Sequence, residues 1–154
     1  MKVSAIFVAT GAAEAAMLGD SLPALHAQVD ELVVVANGRG SRPTMLPSDV
    51  RVVENERPLG FSANINKGIQ ATSGEYVVIS NPDAVPEAGC IEALARFADA
   101  HPQCGVAGPK MLNPDGTLQA SRRSFPVSQD STRSTRRISS RRFVRISART
   151  IPIA

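Results

Sequence analysis

The sequence predicts an α/β fold, a mainly parallel sheet flanked by helices on both faces. Three observations predict it. Short continuous apolar runs recur at Ala5–Ala9, Leu32–Ala36 and Tyr76–Ile79. Strands buried on both faces read this way, whereas half-exposed strands alternate. Amphipathic segments of helical spacing lie between several of the runs, and Gly, Pro, Asn and Ser clusters close them.

The elements follow in order. Lys2 to Ala9 is expected as a buried strand. Ala12 to Gln28 is expected as a helix, with Ala15, Leu18, Leu22, Leu25 and Val29 on one stripe and Pro23 as a point of kinking or division. Leu32 to Ala36 is the second buried strand. Asn37 to Ser41 forms a loop that Pro43 and Pro47 extend, and Val50 to Val53 is a short strand. Ser62 to Thr72 reads as a helix with Ser62 as N-cap and Ile65 and Ile69 inward. After Ser73-Gly74, Tyr76 to Ile79 is again a strand. Pro86 to Ala98 reads as a helix with Ile91, Leu94 and Ala98 inward. Gly105 to Met111 looks like a strand, and Asn113-Pro114-Asp115-Gly116 is a turn with Thr117 to Arg122 as its return. In such sheets ligands bind outside the carboxyl ends of the strands. That places Thr10-Gly11, Asn37–Ser41 and Asn81–Asp83 around a candidate site.

Composition bounds the function. The chain has 154 residues, 43% of them hydrophobic and 20% charged, which suits one ordinary domain with a sizeable core. Aromatics are 4%, with no Trp and one Tyr, so a stacked-aromatic platform for single-stranded nucleic acid is not expected. No apolar run is long enough to span a bilayer, and the N-terminus has no signal-peptide pattern. Two cysteines, Cys90 and Cys104, suggest a reduced compartment and core thiols rather than a disulfide scaffold. A cytoplasmic location is expected. His26 and His101 fit no metal-ligand spacing.

The net charge of +3 is unevenly spread. Residues 128–154 carry seven Arg and the single acid Asp130, a net +6, whereas residues 1–127 carry ten Lys and Arg against thirteen Asp and Glu, a net −3. After Pro126 the text turns to Ser, Thr and Arg with isolated Ile and Val. Residues 127–154 therefore read as a separate Arg/Ser-rich tail beyond a domain at 1–126. Three readings of the tail stand: a disordered basic segment, the product of a shifted reading frame or misassigned end, and a nucleic-acid or anionic-lipid contact, the latter at the inner face of a membrane. No specific nucleic-acid partner is expected.

The chemistry concentrates in Glu54–Asp83. A strand at Tyr76–Ile79 delivers Asn81-Pro82-Asp83 at its carboxyl end, where a carboxylate is placed to hold a divalent cation that shares its oxygen ligands with substrate phosphates. Asn64 and Lys67 lie three apart on a helix and share a face. Each feature alone is ordinary: a turn, and a solvated lysine.

Their combination is specific. Gly60-Phe61-Ser62-Ala63-Asn64, Asn66-Lys67-Gly68-Ile69, Gly74-Glu75-Tyr76 and Asn81-Pro82-Asp83 together resemble the family-2 glycosyltransferases, and most of all their rhamnosyltransferase-like branch. His101 to Lys110, Asn113 to Gln119 and Arg122 to Pro126 extend the resemblance, which covers residues 3–126 and is strongest over 53–126. It implies the GT-A fold, a Rossmann-like nucleotide-sugar-binding N-terminal half. It also implies Mg2+ or Mn2+ as cofactor, a nucleotide-sugar donor such as dTDP-rhamnose, and a polysaccharide or lipid-linked glycan acceptor, as in cell-wall polysaccharide biosynthesis. Asp83 would then be the metal ligand. Thr10, Asn37, Gly38, Asn64, Lys67 and Asn81 would be the donor-binding positions.

Three departures count against a working enzyme. The family's first strand usually ends in Thr-Tyr-Asn, where this chain has Ala9-Thr10-Gly11. Its second usually ends in Asp-Asn-Gly-Ser, where this chain has Ala36-Asn37-Gly38-Arg39. An Ala cannot accept hydrogen bonds from a nucleobase or ribose. Family members also continue into an acceptor half that supplies a carboxylate base, and nothing after Pro126 resembles it. The chain is therefore expected to be the donor-binding half, and no catalytic base is assigned. The alternative is a non-catalytic remnant or interaction module that keeps the fold without donor binding.

Overall fold

The computed structural model describes residues 1–119 and 142–146, with 12–17 and 142–146 as backbone only. Its elements are β1 (Val3–Ala9), α1 (Ala12–His26), β2 (Glu31–Ala36), β3 (Arg51–Glu54), α2 (Phe61–Ala71) and β4 (Tyr76–Ser80). They continue as α3 (Cys90–Ala100), β5 (Val106–Ala107), β6 (Met111–Leu112), β7 (Leu118–Gln119) and β8 (Arg142–Ile146). The main sheet runs β3-β2-β1-β4-β8-β5 with every described pair parallel, and β6 and β7 form a separate antiparallel hairpin.

The continuous apolar runs are explained by burial on both sides. In β1, Val3, Ala5, Phe7 and Ala9 pack with Leu18, Leu22 and Leu25 of α1 and Ile91 and Leu94 of α3. The alternate residues Ile6 and Val8 pack with Val33, Val35, Val77 and Ile65 of α2. One face of the sheet thus carries α1 and α3, and the other carries α2. Gly68 makes the second contact possible: a Cβ there would stand 2.7 Å from Cγ2 of Ile6.

Several boundaries differ from the expected ones. Pro23 does not divide α1, which runs through it and ends at His26. Gln28, expected inside the helix, lies beyond it. Its amide nitrogen donates to the carbonyl of Ala24 while its Oε1 accepts from Ile91 N–H, joining the end of α1 to the start of α3. Gly60, not Ser62, occupies the N-cap of α2. Helix α3 starts at Cys90 rather than Pro86, because Gly89 takes the left-handed φ of 77° and interrupts helical geometry before it. Strand β5 is two residues long, shorter than the expected Gly105–Met111. The turn at Asn113–Gly116 is present, with Asn113 N–H donating to Thr117 O at 2.8 Å, and its return strand is described as far as Gln119.

Most of residues 127–154 lie outside the described residues. Arg142–Ile146 do not: they form β8, which occupies the sheet position between β4 and β5 in the register Tyr76↔Arg142 and Val106↔Phe143. Arg142 and Arg145, set among Phe143, Val144 and Ile146, break the continuous apolar run that marks the other strands and hide this segment from sequence patterning. A strand slot with unpaired backbone on both sides is a strong reason for it to pair.

Cys90 and Cys104 are free thiols, partly buried against the α1/α3 face of the core. Burial pushes the Cys90 thiol up from its ordinary range, and the Glu87 carboxylate adds to the effect. Among the described residues no helix is long and apolar enough to cross a membrane.

Candidate functional site

Strand β1 lies inside the sheet, and the chain leaves it toward β2 and β3 on one side before returning to β4 on the other. That reversal makes the carboxyl ends of β1 and β4 the topological switch point, the usual ligand position in open parallel sheets. All four strands end on the same edge. Ala9 pairs with Ala36, and Ala36 with Glu54, so Thr10, Asn37 and Asn55 follow in a row. The ladder runs on into them: Asn37 N–H donates to Ala9 O at 2.8 Å and Asn55 N–H to Ala36 O at 2.9 Å. Ser80 pairs with Phe7, so β4 stops lower and the Asn81–Asp83 turn begins level with Val8. Ala84 N–H closes that turn on Asn81 O at 3.1 Å.

The β2–β3 end holds a connected amide network. Asn37, Asn55 and Asn64 are 7%, 4% and 1% exposed. Asn37 clamps Leu59 at two points, accepting from its N–H at 2.7 Å and donating to its carbonyl at 3.0 Å. Asn64 donates to the carbonyls of Leu59 and Gly60 at 3.0 and 3.2 Å, which fixes the first turn of α2 without a serine cap. Between them Asn55 donates to Asn64 Oδ1 at 2.6 Å and to Asn37 Oδ1 at 3.2 Å. Its own Oδ1 accepts from Lys67 Nζ at 2.7 Å. Gly38 belongs to the same construction, because its φ of 114° disfavours an L side chain and a Cβ would lie 3.2 Å from Pro58 Cγ. Nearby, Arg42 and Glu54 pair in solvent at 2.7 Å.

The β1–β4 end is built differently. Thr10 is exposed, Asn81 is exposed and Asp83 is half-buried. Among the described residues no hydrogen bond joins Asn81 or Asp83 to the amide network. The structure therefore brings Asn37, Gly38, Asn64 and Lys67 together at one end of the edge and sets Thr10, Asn81 and Asp83 along the other. Asn55 was not among the expected positions. Its signal was slight: a polar residue directly after a short strand, flanked by two acids.

Among the described residues no group of three His, Cys, Asp or Glu side chains is placed to hold a metal ion. Asp83 supplies one carboxylate. Mg2+ is usually held by one or two protein carboxylates with substrate phosphates completing the shell. The donor set fits a hard cation that arrives with a diphosphate, and does not fit one held by protein alone.

Residues 6–151 match the pattern of glycosyl transferase family 2. The chain belongs to that family. Its mainly parallel sheet with helices on both faces is the family's GT-A, Rossmann-like arrangement. The chain is also similar to the N-acetylglucosaminyl-diphospho-decaprenol L-rhamnosyltransferases of two Mycobacterium tuberculosis strains, CDC 1551 / Oshkosh and ATCC 25618 / H37Rv. Identity is 30% in both, over a match covering 51% of this chain and 29% of each relative. The chain thus covers less than a third of the length of those relatives. Family 2 generally uses a divalent metal.

Proposed function

We propose that this family 2 chain binds a nucleotide-diphospho-sugar at the carboxyl edge of β1–β4, for transfer of the sugar to a polysaccharide or lipid-linked acceptor. The observation that carries the reading is the placement of Asp83, with no described partner, at the switch point of a family 2 sheet. dTDP-rhamnose is the first donor to test, because the similar mycobacterial proteins are named as rhamnosyltransferases. Asp83 would hold Mg2+ or Mn2+ against the donor diphosphate, and the cation would offset charge developing on the leaving nucleoside diphosphate. Asn81 and Thr10 flank that position. Asn37 and Asn64 are spent on Leu59 and Gly60, so they act by holding the Leu59–Gly60 loop rather than by touching the donor. Lys67 is the polar member of the network that faces solvent. Transfer also needs a base that takes the acceptor hydroxyl proton, and none is assigned. A cytoplasmic place, with contact at the inner membrane face, follows from a soluble nucleotide donor and a lipid-linked acceptor.

The test is thermal unfolding with dTDP and Mn2+. Ligand at a hundred times its Kd stabilises by about 2.7 kcal/mol, which raises the Tm of a domain this size by several degrees. No shift at millimolar ligand, for a folded sample, overturns the proposal. One observation favours the second reading, a non-catalytic remnant or interaction module. Ala36 ends β2 without a carboxylate, and the amides beside it are already satisfied within the protein. On that reading Asp83→Ala changes no ligand response, because there is none.

A further inference from the structure

We infer that Asn55 is a positioning residue of the donor site: its carbonyl holds the Lys67 ammonium at the β2–β3 end of the edge, where the ammonium meets the nucleoside half of the donor. The inference rests on the donor-binding reading above and adds to it a residue and a division of labour.

The direction of every bond in the network is determined. An ammonium only donates, so the Asn55 oxygen must face Lys67 Nζ at 2.7 Å and its nitrogen must face Asn37 and Asn64. The same holds at the other ends. Asn37 offers its oxygen to Asn55 because that oxygen also accepts from Leu59 N–H, while its nitrogen donates to Leu59 O. Asn64 offers its oxygen because its nitrogen is committed to two carbonyls. Turning any one amide over breaks at least two bonds among side chains that are all buried. Asn55 is thus a rigid socket fixed on two sides by the fold.

What the socket presents is a cation. Lys67 uses one N–H on Asn55 and has no carboxylate partner among the described residues. The neighbouring acid, Glu54, is taken by Arg42. An ammonium held by a neutral carbonyl keeps its charge available, with two further donors and no acceptor. It can therefore take oxygen acceptors, the groups that the thymine carbonyls and the deoxyribose carry.

Position decides which part of the donor it meets. Asn55 follows β3 and Asp83 follows β4, three strand spacings away along the order β3-β2-β1-β4. At about 4.8 Å each, that is roughly 14 Å. One phosphate pair cannot be gripped at both places. With the diphosphate at Asp83, the ammonium is left the nucleoside end.

The test uses the full chain and two probes: thymidine diphosphate, with and without Mn2+, and inorganic pyrophosphate with Mn2+. Lys67→Met is expected to weaken thymidine diphosphate about tenfold in both conditions and to leave pyrophosphate–Mn2+ binding unchanged. Asn55→Ala is expected to do the same, and to add nothing in a Lys67→Met background, because it acts through the lysine. A merely structural Asn55 would weaken both probes together. Lys67→Met removes only the bond from the exposed lysine and keeps those joining Asn37, Asn55 and Asn64, so it decides the matter even if Asn55→Ala does not fold. Unchanged thymidine diphosphate affinity in Lys67→Met overturns this inference and leaves the donor site standing. A parent chain that binds neither probe overturns the proposed function and this inference with it.

Discussion

The two ends of one sheet edge use polar side chains in opposite ways. At the β2–β3 end, Asn37, Asn55 and Asn64 are buried and satisfy one another and the loop at Leu59–Gly60. At the β1–β4 end, Asp83 has no partner among the described residues and stands half-buried beside a turn. The first arrangement lowers the free energy of the folded chain by itself. The second gains nothing until something binds. Stability and ligand response should therefore separate along the edge, and substitutions at the two ends should not resemble each other.

The largest expected effect lies at the closed end. Asn64→Leu removes the donor to two carbonyls and the acceptor for Asn55, leaving buried polar groups unmatched. A loss of about 3 kcal/mol is expected in chemical unfolding, with Tm lowered by about 10 °C in thermal unfolding. A loss below about 1 kcal/mol would mean that water replaces the amide and that the network does not hold the loop.

Next in size is the open end, read through ligand rather than fold. Asp83→Asn should leave the unliganded protein within about 0.5 kcal/mol of the parent. It should abolish the Mn2+-dependent part of the stabilisation by nucleoside diphosphate, which chelation with EDTA should also remove from the parent. A large loss of unliganded stability would contradict the contrast between the two ends.

Gly38→Ala is a smaller perturbation of the closed end. The φ of 114° and the 3.2 Å approach to Pro58 both oppose a Cβ. A cost of about 1–2 kcal/mol is expected, with the donor response otherwise kept.

These ends were not equally legible in the sequence. Asn37-Gly38 and Asn81–Asp83 directly follow strands whose continuous apolar runs come from burial on two faces, so the edge could be placed from patterning alone. The helix starts were less legible. Serine is a good N-cap, but Asn64 reaching back to Gly60 moves the start of α2 ahead of Ser62. Asn55 carried almost no signal, since its partners lie on β2 and α2 and only folding brings them to it. Strand β8 was hidden for a related reason: Arg142–Ile146 are rich in arginine, and what orders their backbone is a slot between β4 and β5, far away in sequence.

The smallest effect sharpens the comparison from the opposite edge. At the amino ends of the strands, Glu31 joins β1, β2 and the approach to β4: Ser4 Oγ donates to it at 2.6 Å, and Ser73 gives its N–H at 2.8 Å and its hydroxyl at 3.1 Å. Burial raises its pKa, but the bonds from Ser4 and Ser73 and the charge of Lys2 outweigh it and hold the carboxyl below its ordinary range. A carboxyl depressed in the folded state contributes stability above its unfolded pKa and loses it as pH falls through the folded value. The loss should appear below the ordinary Glu range, at acidic pH. Asp49, depressed by the His26 hydrogen bond, and Asp115, depressed by Thr117, slope the same way. The informative quantity is therefore the difference between the parent and Glu31→Gln across an acid titration of urea unfolding. That difference should shrink as pH falls, while nucleoside diphosphate affinity at neutral pH stays at the parent value, because Glu31 lies at the far end of the strands from Asp83 and Lys67. A Glu31→Gln variant that lost donor affinity at neutral pH would show the two edges to be coupled through β1.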